Sequence, residues 1–172
     1  MSTNIVLPSL TDWTEQRVTA LLTTTTEADF NTAFDAFLSK NVTITVNGQD
    51  LTRDQYKQQL RQEKFDEAFA QVQFSGAVEV PADTNRPIDA GTVGIFYTAT
   101  INENILVLGA PSQSIVNSSL NVVVKPDESL QPPKTPGRGD FDPRRVSNLS
   151  EVTTDKPNPL IPLSTSSSSS TV

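Results

Sequence analysis

Apolar residues recur at helical spacing over the first third of the chain and at a period of two after that. The run TDWTEQRVTALL, from Thr11, puts Leu10, Trp13, Val18, Leu21 and Leu22 on one broad stripe, with Asp12 and Glu15 in the first turn where carboxylates suit the helix dipole. Thr26 stands three residues before Asp29 as a capping-box-like start. Phe30, Ala33, Phe34, Phe37 and Leu38 follow at i, i+3, i+4, i+7 and i+8, which predicts a second helix. Val42 to Val46 alternates β-branched apolar and polar residues and stops at Asn47-Gly48, a turn dipeptide, so it reads as a short strand. Thr52 with Gln55 opens a third helix in which Tyr56 and Leu60 share a face and Arg53, Lys57, Arg61 and Glu63 point elsewhere.

From Ala68 the period becomes two. Ala68, Ala70, Val72, Phe74, Val78 and Val80 form one set of a long strand, with Gly76 marking a bulge or bend. After the loop from Pro81 to Pro87, Val93, Ile95, Tyr97, Ala99 and Ile101 occupy one face of a second long strand. Ile105 to Leu108 reads as a third, and Val116, Leu120, Val122 and Val124 supply a last one ending at Pro126. The predicted order is ααβαββββ. Helices first and antiparallel strands last is an α+β layout, and three amphipathic helices against a sheet apolar on one face close by wrapping the sheet into a half-open cone with an apolar pocket inside.

Seven of the twelve prolines fall after Gln131, and the chain closes on the serine run Ser166 to Ser170. Such composition removes backbone donors and fixes φ, so the expected division is a folded domain at residues 1–130 and a disordered tail at 131–172. The alternative is that Phe141, Val146, Leu149 and the Leu160-Ile161 pair dock on the domain surface as extended chain.

Charge and composition narrow the chemistry. Lys and Arg total 13 against 20 Asp and Glu, a net −7, which disfavours nucleic acid and anionic membrane surfaces as partners. With no Cys and no His, disulfides, thiol nucleophiles, Cys/His zinc sites and His-dependent triads are excluded. No metal-ligand spacing is present, and no cofactor is expected. No apolar run reaches membrane length and Met1 to Leu10 is not leader-like, so the cytosol is the expected compartment.

The segment from Phe34 to Leu60, FDAFLSKNVTITVNGQDLTRDQYKQQL, resembles the front end of a nuclear transport factor two-like domain, and the strands up to Val124 are similar in order and length to that family's curved sheet. Within it the chain is most similar to the SnoaL-like proteins, including small fungal members. The resemblance implies a cystatin-like α+β cone, frequent homodimers through the outer sheet face and a ligand pocket between helices and sheet. It does not imply one reaction.

The candidate pocket-lining residues are Trp13, Phe34, Phe37, Tyr56 and Tyr97, the two phenols being placed to hold a ligand carbonyl or to sit as ordinary core with their hydroxyls at the rim. Asp54 and Asp35 suit a solvated face or a helix start better than a cavity, and Asp66-Glu67 reads as a charged strand entry, so no catalytic residue is assigned. Arg138-Gly139-Asp140 reads as a chance tripeptide, and the sequons at Asn41, Asn117 and Asn148 need a secretory route. Arg144-Arg145-Val146-Ser147 makes Ser147 a phosphorylation candidate. The leading expectation is a domain that binds a small apolar ligand in the cone, pairs with itself, or both. The alternatives are an isomerase, dehydratase or cyclase working with Tyr and Asp without His, and a protein-binding adaptor using Phe69, Phe96 and Val123 on the outer sheet face.

Overall fold

The computed structural model describes residues 7–64, 67–107, 110–132 and 141–158. Helix α1 spans Leu10–Thr23, with the Ser9 hydroxyl accepting from the Asp12 amide at its start, and α2 spans Glu27–Phe37 behind Thr26, which accepts from the Asp29 amide. Strand β1 (Leu38–Val46) and the short β2 (Gln49–Leu51) form a hairpin around Asn47 and Gly48, whose φ values of 51° and 79° are the paired left-handed conformations that Asn-Gly adopts cheaply. Helix α3 (Arg53–Lys64) opens with a complete capping box, the Thr52 amide donating to the Gln55 side chain and the Gln55 amide to the Thr52 hydroxyl.

Four long strands follow: β3 (Glu67–Pro81), β4 (Gly91–Val107), β5 (Ala110–Pro126) and β6 (Arg144–Asn158). They join β1 and β2 in one six-stranded, curved and unclosed sheet of order β2-β1-β6-β5-β4-β3, with the three helices packed on one face. All neighbours are antiparallel except β1 and β6, which run parallel. The core joins the helix stripes (Leu10, Trp13, Val18, Leu21, Phe30, Phe34, Phe37) to the inward residues of the sheet (Val93, Ile95, Ala99, Leu120, Val122, Val124, Val146, Leu149). Where α1 meets the sheet there is no room for a side chain at Gly91, because a Cβ there would lie 2.5 Å from the Val80 carbonyl and 2.7 Å from Leu10 Cδ1. Among the described residues no helix is long and apolar enough to cross a membrane.

Three sequence expectations are corrected. Residues 144–158, placed in a disordered tail, form β6 between β1 and β5, so Val146 and Leu149 are core rather than surface-docked chain; Leu160 and Ile161 lie outside the described residues. The strand was hard to see because Ser147 breaks its alternation as a bulge, Val123 facing Asn148 while Val124 faces Val146, and because two of its inward residues are Arg144 and Glu151. Second, the bulge at Ser75 exchanges the faces of β3: Val78 and Val80, read as inward, point outward, and Glu79 turns in to accept from the Thr11 amide and hydroxyl at 2.7 and 2.6 Å. Third, Ile105 to Val107 is the far end of β4 and not a separate strand; Leu108 lies outside the described residues.

Arg144 fastens the start of β6. Its side chain is 1% exposed, donates through Nε and Nη2 to the two oxygens of Asp142 at 2.9 Å each, and donates through Nη1 to the carbonyls of Pro8 at 2.9 Å and Ile88 at 3.0 Å, while the guanidinium lies 5.4 Å from the Trp13 ring centroid. The segment before α1, the β3–β4 loop and β6 thus meet at one cation. Burial alone would raise the Asp142 carboxyl, but the hydrogen bonds and charge of Arg144, aided by Arg17, hold it below its ordinary value. A carboxyl lowered in the folded state adds stability above its unfolded value of about 4 and loses it as pH falls through the folded one. Arg144→Ala is therefore expected to cost about 3–5 kcal/mol at neutral pH in urea unfolding, and to flatten the loss of stability below about pH 4 relative to wild type.

Candidate functional site

The two tyrosines of the chain arrive from opposite layers. Tyr56 sits one turn into α3, where the Thr52–Gln55 box sets the helix start and its amide bonds the Thr52 carbonyl at 3.0 Å; its ring lies 6.4 Å from that of Phe34 on α2. Tyr97 is in the middle of β4, with Phe74 of β3 at 6.2 Å between ring centroids. Both hydroxyls end on Glu151 of β6. Tyr56 Oη donates to Oε2 at 2.9 Å and Tyr97 Oη to Oε1 at 2.8 Å, while Ser118 Oγ, from the β5 residue paired with Tyr97, donates to Oε1 at 2.6 Å. All four side chains are buried, Glu151 with 4% of its surface exposed.

The backbone under Glu151 is fixed by the Asn-Gly turn. The Asn47 amide donates to the Glu151 carbonyl at 2.9 Å, and the Asn47 side chain continues the ladder, its carboxamide donating to the Thr153 carbonyl at 3.1 Å and accepting from the Thr153 amide at 2.9 Å. One asparagine thus makes the turn and holds β6 in register beside the carboxylate.

Above this floor lies a cavity of about 30 Å³ with walls of Leu22, Leu60, Ala99, Ile101 and Val116 and a polar rim of Gln59 and Thr153. That is room for a group the size of one water. A wider hollow of about 430 Å³ between α1 and β3, edged by Asp12, Glu15, Gln16, Thr19, Ala20 and Phe74, is a surface groove with no buried side chain in it. Glu151 accepts three neutral hydroxyls, and no Lys or Arg pairs with it among the described residues. Three of the four lone pairs of this carboxylate are engaged by the neighbouring hydroxyls.

Of the residues singled out in the sequence, Tyr56 and Tyr97 line this cavity and Trp13, Phe34 and Phe37 do not. Phe34 backs Tyr56, with Arg53 and Lys57 over its ring at 4.7 and 5.2 Å; Trp13 and Phe37 pack 6.0 Å apart nearer the Arg144 clamp. Asp54 and Asp35 are exposed, Asp35 in an ion pair with Arg53, and the Asp66 and Phe69 side chains and Arg138 to Asp140 lie outside the described residues. Ser147 sits half-buried in β6 with Oγ donating to the Val123 carbonyl at 3.2 Å, so the flexible segment expected around it is sheet. Sequence reading missed Glu151 and Ser118. Glu151 lay in the Pro-rich region assigned to the tail, and Ser118 is a polar residue on the inward face of an apolar strand.

No protein-family model matches the sequence and no curated protein matches it. Solved structures do. A putative aromatic ring hydroxylase from Novosphingobium aromaticivorans superposes with a TM-score of 0.55 at 8% identity, covering 84% of this chain and 90% of that one. A type 2 hexachlorocyclohexane dehydrochlorinase, LinA, gives 0.53 at 8% identity over 88% and 90%, and Mtr2 of Candida albicans gives 0.52 at 14% over 86% and 96%. At such identities the likeness establishes the fold, which is that of the nuclear transport factor two-like proteins.

Proposed function

We infer that the cone is a small-molecule binding site and that the chain has no reaction of its own. The observation that carries this is the convergence of Tyr56, Tyr97 and Ser118 on Glu151 at the floor of a cavity with apolar walls: fixed polar groups converging in an apolar hollow are what a ligand site consists of. The apolar pocket read from the sequence is small, because about 30 Å³ is roughly a tenth of the smallest ordinary ligand site, so it takes the head of a ligand and not its body. An isomerase or dehydratase would need a base. The acid that lines the cavity is Glu151, and its three hydroxyl partners occupy the oxygens that a substrate's proton would have to reach. A library of small fragments screened by two-dimensional amide NMR is expected to move the resonances of Ala99, Ile101, Val116 and Thr153 first. A screen with no shifts there, or shifts confined to the α1–β3 groove, refutes the reading.

The outer face of the sheet supports a second function, self-association. Four successive cross-strand rows on this face, Gln73-Thr98-Asn117-Thr154, Gly76-Phe96-Ser119-Val152, Val78-Gly94-Asn121-Ser150 and Val80-Thr92-Val123-Asn148, contain no charged residue in a chain of net −7. Within them Phe96, Val78, Val80 and Val152 are 57%, 69%, 60% and 62% exposed. A charge-free face with exposed apolar residues is what two acidic copies need in order to meet without repulsion, and depletion of charge marks the centre of protein interfaces. Sedimentation at micromolar concentration is expected to give a dimer, and Phe96→Asp to weaken it at least tenfold. A wild-type monomer rules the dimer out.

A further inference from the structure

We propose that the ligand of the cone is an organic cation, a protonated amine on an apolar body, with its ammonium group seated on Glu151. The proposal rests on the reading of the cone as a ligand site and adds the chemical class.

Three observations lead to it. First, Glu151 is 4% exposed and among the described residues has no Lys or Arg paired with it, whereas Asp142 has Arg144 bidentate on it. Neutral hydroxyls orient a buried carboxylate and recover part of its lost hydration, but they bring no opposite charge, and a buried charge is costly until it is paired. Second, the space beside it matches the partner in size. A cavity of about 30 Å³ takes a head group as small as an ammonium, which donates where a carbonyl or an anion would meet the lone pairs of Glu151. Third, the lining around that space, Leu22, Leu60, Ala99, Ile101 and Val116, is apolar, so an ammonium seated there is shielded from water and the alkyl carbon that carries it meets hydrocarbon.

Other occupants fit less well. A divalent metal ion is opposed by the donor set: Ca²⁺ takes six to eight oxygen ligands, usually with several carboxylates among them, whereas one carboxylate lines this cavity and no cluster of metal-binding side chains occurs among the described residues. An anionic ligand meets a fixed negative charge inside a chain of net −7.

The test is a titration of the full chain with three matched probes, n-hexylamine, n-hexanol and hexanoate, followed by amide NMR. Hexylamine is expected to bind at least tenfold tighter than hexanol, with hexanoate not binding. Glu151→Gln is expected to bring hexylamine down to the level of hexanol. Since removing a buried charge can alter folding, a second measurement uses wild type alone: the preference for hexylamine over hexanol is expected to persist at high salt, because a buried pair is screened little, and its disappearance there marks a surface attraction and overturns the seat on Glu151. Hexanol binding as tightly as hexylamine overturns the charge assignment while leaving the ligand site standing. Binding by none of the three overturns the proposal, and if the fragment screen is silent as well, the ligand-site reading falls with it. Saturable binding of Ca²⁺ alone at Glu151 also overturns it.

Discussion

The fold depends on β6 being inserted between β1 and β5. It is the strand that joins the β1–β2 hairpin to the antiparallel meander of β3, β4 and β5, through a parallel ladder on one side and an antiparallel ladder on the other. Without it the sheet is two separate pieces, and neither the helix layer nor the cavity floor has a continuous surface to close against. A parallel pairing between β1 and β6 is also the strand pairing with the greatest separation along the chain, the kind that forms late and at the largest loop-closure cost.

Two buried charges occupy the strand, and they are handled differently. Arg144, at its start, is matched in full by a carboxylate, two carbonyls and an aromatic face, so that its role is to gather three segments at one point. Glu151, one turn of the pleat beyond Leu149, is matched in hydrogen bonds but, among the described residues, not in charge. A buried ion pair with complete partners is a positional device, whereas a buried charge lacking an opposite one is a demand for something from outside. The contrast between them within fifteen residues of chain separates the structural end of β6 from the end that faces the cavity.

Much of this architecture was legible in the sequence because it follows local rules. The capping residues Thr26 and Thr52, the phenylalanine spacing of α2, the Asn-Gly turn and the alternation from Val93 to Ile101 each fix an element by geometry within a few residues. The facing of Tyr56 and Tyr97 into one volume was legible as well, since each sits on the apolar face of its own element. What escaped was non-local. The strand β6 reads as polar and Pro-flanked because its inward positions include Arg144 and Glu151 and because Ser147 shifts the alternation, and only its two neighbours in the sheet make those positions interior. The outward turn of Val78 and Val80 escaped for a related reason: Gly76 announced a bulge, but not that the bulge would exchange the faces beyond it.

Hydrogen exchange at the β6 amides tests the central position of this strand most directly. The amides of Val146, Leu149 and Glu151 are expected to exchange only through global unfolding, in the same slow class as those of Ile95 and Val122. Exchange of these three as fast as that of an exposed loop amide would show that the strand does not occupy the middle of the sheet in solution, and the account of the cavity floor would fall with it.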